Sequence, residues 1–279
     1  MKKGISIWSF TETDLEKVFK IAKDAGFDGV ELALDDGGFV NMDTTKEDAD
    51  RIKALADKCG IELYSLASGK YWDENYPADS EQTRRNAIEI TKKQLEVASW
   101  LGCQSILVVP GSVGVDFMPN LGVVDYDVAY DRCLAALTEL KPVAEKFGVE
   151  LCIENVWNKF LLSPLEMRDL IDKVGSPYVC SYFDVGNVLY SGYPEQWIKI
   201  LNKRIKKVHF KDFRKNVGTL DGFVDLLAGD VDYIAVKKAF DEIGYDGWVT
   251  GEMIPAYTLY PETIIYNTSL AMDKILGRK

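Results

Sequence analysis

The sequence predicts a single-domain α/β fold, a (β/α)8 barrel of the TIM type, on three observations. One phrase recurs along the chain: an amphipathic helix, a glycine, then a short apolar run. It reads DAGFDGVELAL, DKCGIELYSLA, SWLGCQSILVV, EKFGVELCIEN, DKVGSPYVCSYFD and DEIGYDGWVTGEM. The apolar runs are nearly continuous rather than alternating, as expected of parallel strands covered on both faces. Finally, eight strand–helix pairs fit into 279 residues without a Pro-, Gly- or Ser-rich linker or a low-complexity stretch, which is the arithmetic of such a barrel. Alternation alone leaves a doubly wound open sheet as the competing architecture.

The elements follow in order. KGISIW supplies the first strand, near 3–8, and a helix is expected over 14–25. Gly26 is placed to take the left-handed conformation after it, and the second strand follows at 29–34. The same punctuation separates helix 46–58 from strand 62–67, helix 80–101 from strand 105–109, and helix 126–147 from strand 149–153. Helix 164–174 leads through Gly175 to strand 179–183. Helix 195–204 precedes KKVHF, the strand at 206–210, and helix 232–243 leads through Gly244 to strand 247–252. A last helix over 261–276 covers the barrel. No strand is followed by G-x-G-x-x-G or G-x-x-x-x-G-K-[ST], so dinucleotide and P-loop readings lose their main support.

Composition narrows the function. A net charge of −11 suits neither nucleic acid nor an anionic membrane surface. No stretch approaches the roughly 20 apolar residues of a membrane helix. The N-terminus turns charged too early for a secretory signal. The five cysteines are odd in number and lack C-x-x-C spacing, which points to reduced, mostly buried thiols in a cytoplasmic protein.

In a barrel of this type the active-site face is built from the C-terminal ends of the strands. Reading those ends gives Glu31 in VELAL, Glu154 in LCIEN, Asp184 in YFDVGN, His209 in KVHFKD and Glu252 in VTGEM. The last four come from the fifth to eighth strands, and His209 is the only histidine in the chain. Each lies in or ends an apolar run, where an unpaired carboxylate or imidazole is costly to bury. Converging carboxylates also repel one another. A divalent cation resolves both difficulties, and two Glu, one Asp and one His suit Mn²⁺, with Mg²⁺, Co²⁺ and Zn²⁺ as alternatives. The plain alternative is that the strand-end acids cap helices and the histidine is structural.

These motifs resemble the xylose-isomerase-like barrels, sugar and sugar-phosphate epimerases and isomerases that include ketose 3-epimerases, L-xylulose-5-phosphate (L-ribulose-5-phosphate) 3-epimerases and inosose dehydratases. The likeness runs from GFDGVEL through LGCQSILVVPG, IEN, FDVGN, HFKD and the GDVDY turn (229–233) to GEM. It implies that Glu154, Asp184, His209 and Glu252 are the metal ligands. It further implies proton transfer beside a carbonyl through an enediolate, with Glu154 and Glu252 as the catalytic pair. A ketose or ketose phosphate is the expected substrate. Asn187, Lys211, Arg214 and Trp8 are the expected substrate contacts, with Trp72 a further aromatic face. Asp212 is expected to orient a ligand or pair with a cation, and the GSVG turn (111–114) is a weak candidate for phosphate.

Two departures separate the chain from the free-ketose epimerases of that family. They carry a second histidine where this chain has Asn187, and a substrate-binding glutamate where it has Phe160. The D-x-G-N and H-x-K-D pattern is nearer the sugar-phosphate branch. Competing readings are a dehydratase or lyase acting on a keto-sugar or inosose, a non-catalytic carbohydrate-binding barrel, and an AP-endonuclease-like barrel. A single histidine and the acidic charge weigh against the last. Self-association through the last helix (IIYNTSLAM, 264–272) is left open.

Overall fold

In the computed structural model, which describes residues 1–278, parallel strands close into a barrel with a helix after each. The elements run β1 (Lys2–Ser6), α1 (Leu15–Asp24), β2 (Gly29–Ala33), α2 (Lys46–Cys59), β3 (Glu62–Ala67), α3 (Glu81–Leu101), β4 (Ser105–Val108) and α4 (Tyr126–Phe147). They continue with β5 (Glu150–Glu154), α5 (Pro164–Val174), β6 (Val179–Asp184), α6 (Pro194–Leu201) and β7 (Ile205–Phe210). A short antiparallel ribbon, β8 (Asp212–Phe213) with β9 (Phe223–Val224), interrupts the pattern. The chain ends with α7 (Tyr233–Glu242), β10 (Trp248–Gly251) and α8 (Thr263–Leu276). Around the barrel the order is β1-β10-β7-β6-β5-β4-β3-β2, closed by pairing of β1 with both β10 and β2. The open sheet is excluded.

The expected punctuation is present. Gly26, Gly60, Gly102, Gly148, Gly175 and Gly244 all take positive φ, between +66° and +86°. Each ends its helix at no Cβ penalty and redirects the chain into the next strand. Helix starts are equally local. Asp14 accepts from two backbone N–H groups of α1, and Thr45 with Asp48 forms a capping box on α2.

Every residue of β2, β4, β6 and β10 is buried, as two-sided coverage requires. Inside the barrel, Tyr64 stacks on Trp248 with ring centres 3.8 Å apart. Gly29 makes room for that pair, since a Cβ there would lie 2.8 Å from the Trp248 ring. Four cysteines are buried and all five are unpaired. Among the described residues no helix is long and apolar enough to cross a membrane.

Two stretches differ from expectation. The first strand stops at Ser6, whose hydroxyl accepts from the Trp8 N–H, and Ile7–Ser9 forms a 3-10 turn. The 212–224 ribbon was not expected, because each of its strands is only two residues long and carries no periodic signal.

Candidate metal centre

Four side chains meet where β5, β6, β7 and β10 end. Glu154 and Asp184 are the last residues of β5 and β6, His209 is the penultimate residue of β7, and Glu252 directly follows β10. One donor atom from each lies within 4.8 Å of all the others, and all four residues are buried. Register explains the convergence: His209 is paired with Asp184 on one side and with Thr250 on the other, two residues before Glu252.

The two nitrogens of His209 face different partners. Nδ1 points into the cluster, 3.1 Å from Glu154 Oε1, 3.2 Å from Glu252 Oε2 and 3.9 Å from Asp184 Oδ2. Nε2 lies 2.8 Å from Glu31 Oε1. The other Glu31 oxygen accepts from the Tyr182 hydroxyl at 2.5 Å, and Thr250 links Tyr182 to Tyr64 behind it. Glu31 thus closes the cluster from beneath and holds the ring with Nδ1 facing outward.

Two residues lock the motifs around Asp184. The Asn155 side chain accepts from Asp184 N at 3.0 Å and donates to Asp184 O at 2.8 Å. Asn187 donates from its backbone to Asp184 Oδ1 and from its side chain to Asn155 O. The IEN and FDVGN motifs are therefore one hydrogen-bonded unit, and one of the two N–H donors of the Asn187 amide is committed to the scaffold.

Lys211, two residues beyond His209, aims into the same cluster, as expected of side chains two apart on an extended segment. Its ammonium pairs with Glu252 and lies 3.4 Å from Asp184 Oδ2. Arg214 is exposed, donates to Ala228 O, and does not line the cavity. Its expected place at the mouth is wrong because the ribbon carries it outward.

Asp212 neither touches a ligand nor pairs with a cation. It accepts from the backbone N–H groups of Phe213, Leu227, Gly229 and Val231 at 2.8–3.1 Å. The HFKD and GDVDY motifs thus form one device that shapes the loop before α7.

The charges are unevenly poised. Burial pushes the Glu154 carboxyl up to about 7, against the opposing pull of His209. Burial raises Asp184 as well, with Lys211 pulling the other way. Burial would also raise Glu252, but Lys211 and His209 overcome it and hold that carboxyl at about 2. Burial opposes protonation of His209, yet the surrounding Glu252, Glu31 and Glu154 hold its pKa well above the usual value.

The donor set fits a divalent cation. Asp184 Oδ2 and Glu252 Oε2 are buried, and the Lys211 ammonium is the charge that stands beside both. Together with Glu154 and His209 Nδ1 they offer three hard oxygens and one imidazole nitrogen at one point.

A cavity of about 790 Å³ opens above the cluster, with Glu154, Glu252, Asn187 and Lys211 at its floor. Trp8 and Trp72 line it, and Trp8 Nε1 donates to Asp35 at 2.9 Å. Phe160 does not reach it, being buried against Tyr126 and Tyr130. The GSVG turn is no phosphate cradle, since Val113 N and Gly114 N both donate to Asn158 O.

Fold and site together define a (β/α)8 barrel with a buried carboxylate–imidazole cluster at the C-terminal ends of its strands. The chain belongs to the xylose isomerase-like TIM barrel family, whose profile matches residues 19–270. It is 24% identical over 219 residues to a 2-epi-5-epi-valiolone 7-phosphate 2-epimerase of Actinoplanes sp., covering 77% of this chain and 74% of that protein. It is 32% identical over 137 residues to an inosose dehydratase of Clostridium beijerinckii, covering 42% and 44%. A D-psicose 3-epimerase from Clostridium cellulolyticum H10, solved with D-tagatose, superposes with a TM-score of 0.80 over 99% of each chain at 19% identity.

Proposed function

We propose that the protein is a divalent-metal-dependent carbohydrate epimerase or isomerase that removes and returns a proton on a carbon beside a ketone, with residues 1–279 working as one barrel domain. The observation that carries this reading is the four-residue donor cluster, buried with, among the described residues, only the Lys211 ammonium beside its carboxylates, at one end of a wide cavity. Glu154, Asp184, Glu252 and His209 Nδ1 would hold the cation, Mn²⁺ being the best match to the donors. A cation bound there supplies Lewis-acid stabilisation of the negative charge that develops on the carbonyl oxygen.

The chain's own residues then divide the work. Glu154 and Glu252 stand on strands separated by β6 and β7, so they approach a substrate on the floor from different sides. One takes the proton and the other delivers one to the opposite face, with the roles exchanged in reverse. His209, held by Glu31, keeps its nitrogen on the cluster. Lys211 balances the carboxylate charge at the reacting end.

A second reading, loss of water from a keto-sugar, is supported by the partial likeness to inosose dehydratase and by the Lys211 ammonium, which can protonate a leaving hydroxyl. The experiment is metal analysis of protein purified without added metal, wild type beside His209→Ala, with ketoses incubated in D₂O and followed by NMR. Near-stoichiometric metal lost in the variant, with deuterium entering beside the carbonyl, is the expected result. An epimer that carries one deuterium at that carbon identifies the epimerase, and a dehydrated product the lyase. Absence of both metal and exchange sinks the proposal.

A further inference from the structure

The wall above the donor cluster has a chemistry of its own. The cavity, about 790 Å³, lies in the upper part of the roughly 300–1,000 Å³ range of small-molecule sites. A single sugar on the floor fills only part of it. The remainder is walled by five aromatic side chains, Trp8, Trp72, Phe117, Trp157 and Phe223.

These rings are held in place at the wall. Trp8 is tied to Asp35, which also accepts from Gly69 N. Trp72 meets Phe117 edge-on with centres 5.4 Å apart. Trp157 donates to Asn187 O at 2.8 Å and packs against Phe223 at 5.2 Å. None of the five is buried, and Phe117 remains 40% exposed. Fixed, half-open aromatic faces lose little entropy when a ring settles on them.

The charges of the same wall oppose an anion. Among the described lining residues Lys211 is the single cation, against Glu154, Asp212, Asp221, Asp225 and Glu252. Its ammonium is at the reacting end, beside Asp184 and Glu252, so it cannot also serve a group at the mouth. Among the described residues, Gly69 at the wall gives its N–H to Asp35, and the 111–114 turn, which does not line the cavity, gives two of its amides to Asn158 O.

Resting on the proposed chemistry at the floor, we infer that the substrate is an unphosphorylated keto-sugar extended by a second, uncharged ring, and that this second ring stacks in the aromatic collar. The collar makes the enzyme one for keto-glycosides rather than for free ketoses or ketose phosphates.

Three probes share one ketose and differ only at O6: D-fructose, D-fructose 6-phosphate and the glucosyl ketose isomaltulose. Calorimetric titration of the Mn²⁺-loaded protein should find isomaltulose bound roughly tenfold more tightly than fructose, and the phosphate bound no better than fructose. Trp157→Ala should erase the preference while metal content is retained. Trp72→Ala, in a less crowded setting, should do the same and guards against a folding defect in the first variant. Equal affinity for the three, tighter binding of the phosphate, no binding of isomaltulose, or a preference untouched in both variants overturns the inference. Metal content and D₂O exchange on the same samples report separately on the chemistry. Protein that holds metal and prefers isomaltulose without exchanging a proton loses the catalytic reading and keeps the collar.

Discussion

At the scale of single residues, Glu31 decides which way the only histidine faces. It is fully buried, with one oxygen on His209 Nε2 and the other on the Tyr182 hydroxyl. A carboxylate behind a ligating imidazole fixes its tautomer and raises its basicity, and removing such a partner costs about 10–100-fold in metal affinity. Glu31→Gln keeps the shape and an acceptor oxygen but removes the charge. Metal titration by calorimetry should therefore find affinity for Mn²⁺ lowered at least about tenfold in a folded protein. Unchanged affinity would mean that packing alone orients His209. Lys211 reads as a substrate contact in the chain and lies against two of the clustered carboxylates in the fold.

At the scale of elements, the segment between β7 and α7 depends on one buried side chain. Asp212 gathers four backbone N–H groups from residues as far as Val231, and Gly229 must lack a Cβ because Asp212 occupies that space. The same segment supplies Phe223 to the cavity wall. Truncating Asp212 strands several of those donors, at about 1–3 kcal/mol for each that finds no water. Asp212→Ala should melt several degrees lower and be cut by protease between residues 214 and 230 before the barrel itself is attacked. Limited proteolysis with mass spectrometry reads this, and an unaltered cleavage pattern would contradict it.

At the scale of the whole molecule, the cluster links stability to pH and to metal. Glu154 is raised from 4.5 to about 7, so its contribution is complete below pH 4.5 and is lost as pH rises through about 7. His209, raised well above 6.5, acts in the same sense at higher pH. Glu252, held at about 2, acts oppositely, but its contribution is lost only as pH falls from 4.5 toward 2. Chelator-treated protein should therefore lose about 3 kcal/mol between pH 4.5 and 7 from Glu154 alone. A divalent cation replaces the His209 proton and offsets the carboxylates, so Mn²⁺ should restore most of that loss at pH 8. Melting curves across pH with EDTA or Mn²⁺ check the sign. A chelated protein that becomes more stable from pH 5 to 8 would refute it.

Much of this molecule is local in origin. The six glycines after helices, the capping residues and the continuous apolar strands are decided within a few residues, so element order and strand ends were legible in the chain. Once a barrel is granted, the strand ends name Glu154, Asp184, His209 and Glu252. What local rules cannot carry is direction across the barrel. Glu31 and His209 are 178 residues apart and meet only because closure brings β2 and β7 to face one interior. Arg214 leaves the mouth, and Asp212 turns from the cluster to the loop, because the ribbon's path is set by long-range backbone bonds rather than by periodicity. The sequence by itself determined the elements and the strand ends that carry the clustered side chains, since helix stops and buried strands obey short-range sterics. Only the tertiary structure decided which side chains face the cluster, which hold the loop and which line the cavity, since those depend on where the closed barrel aims them.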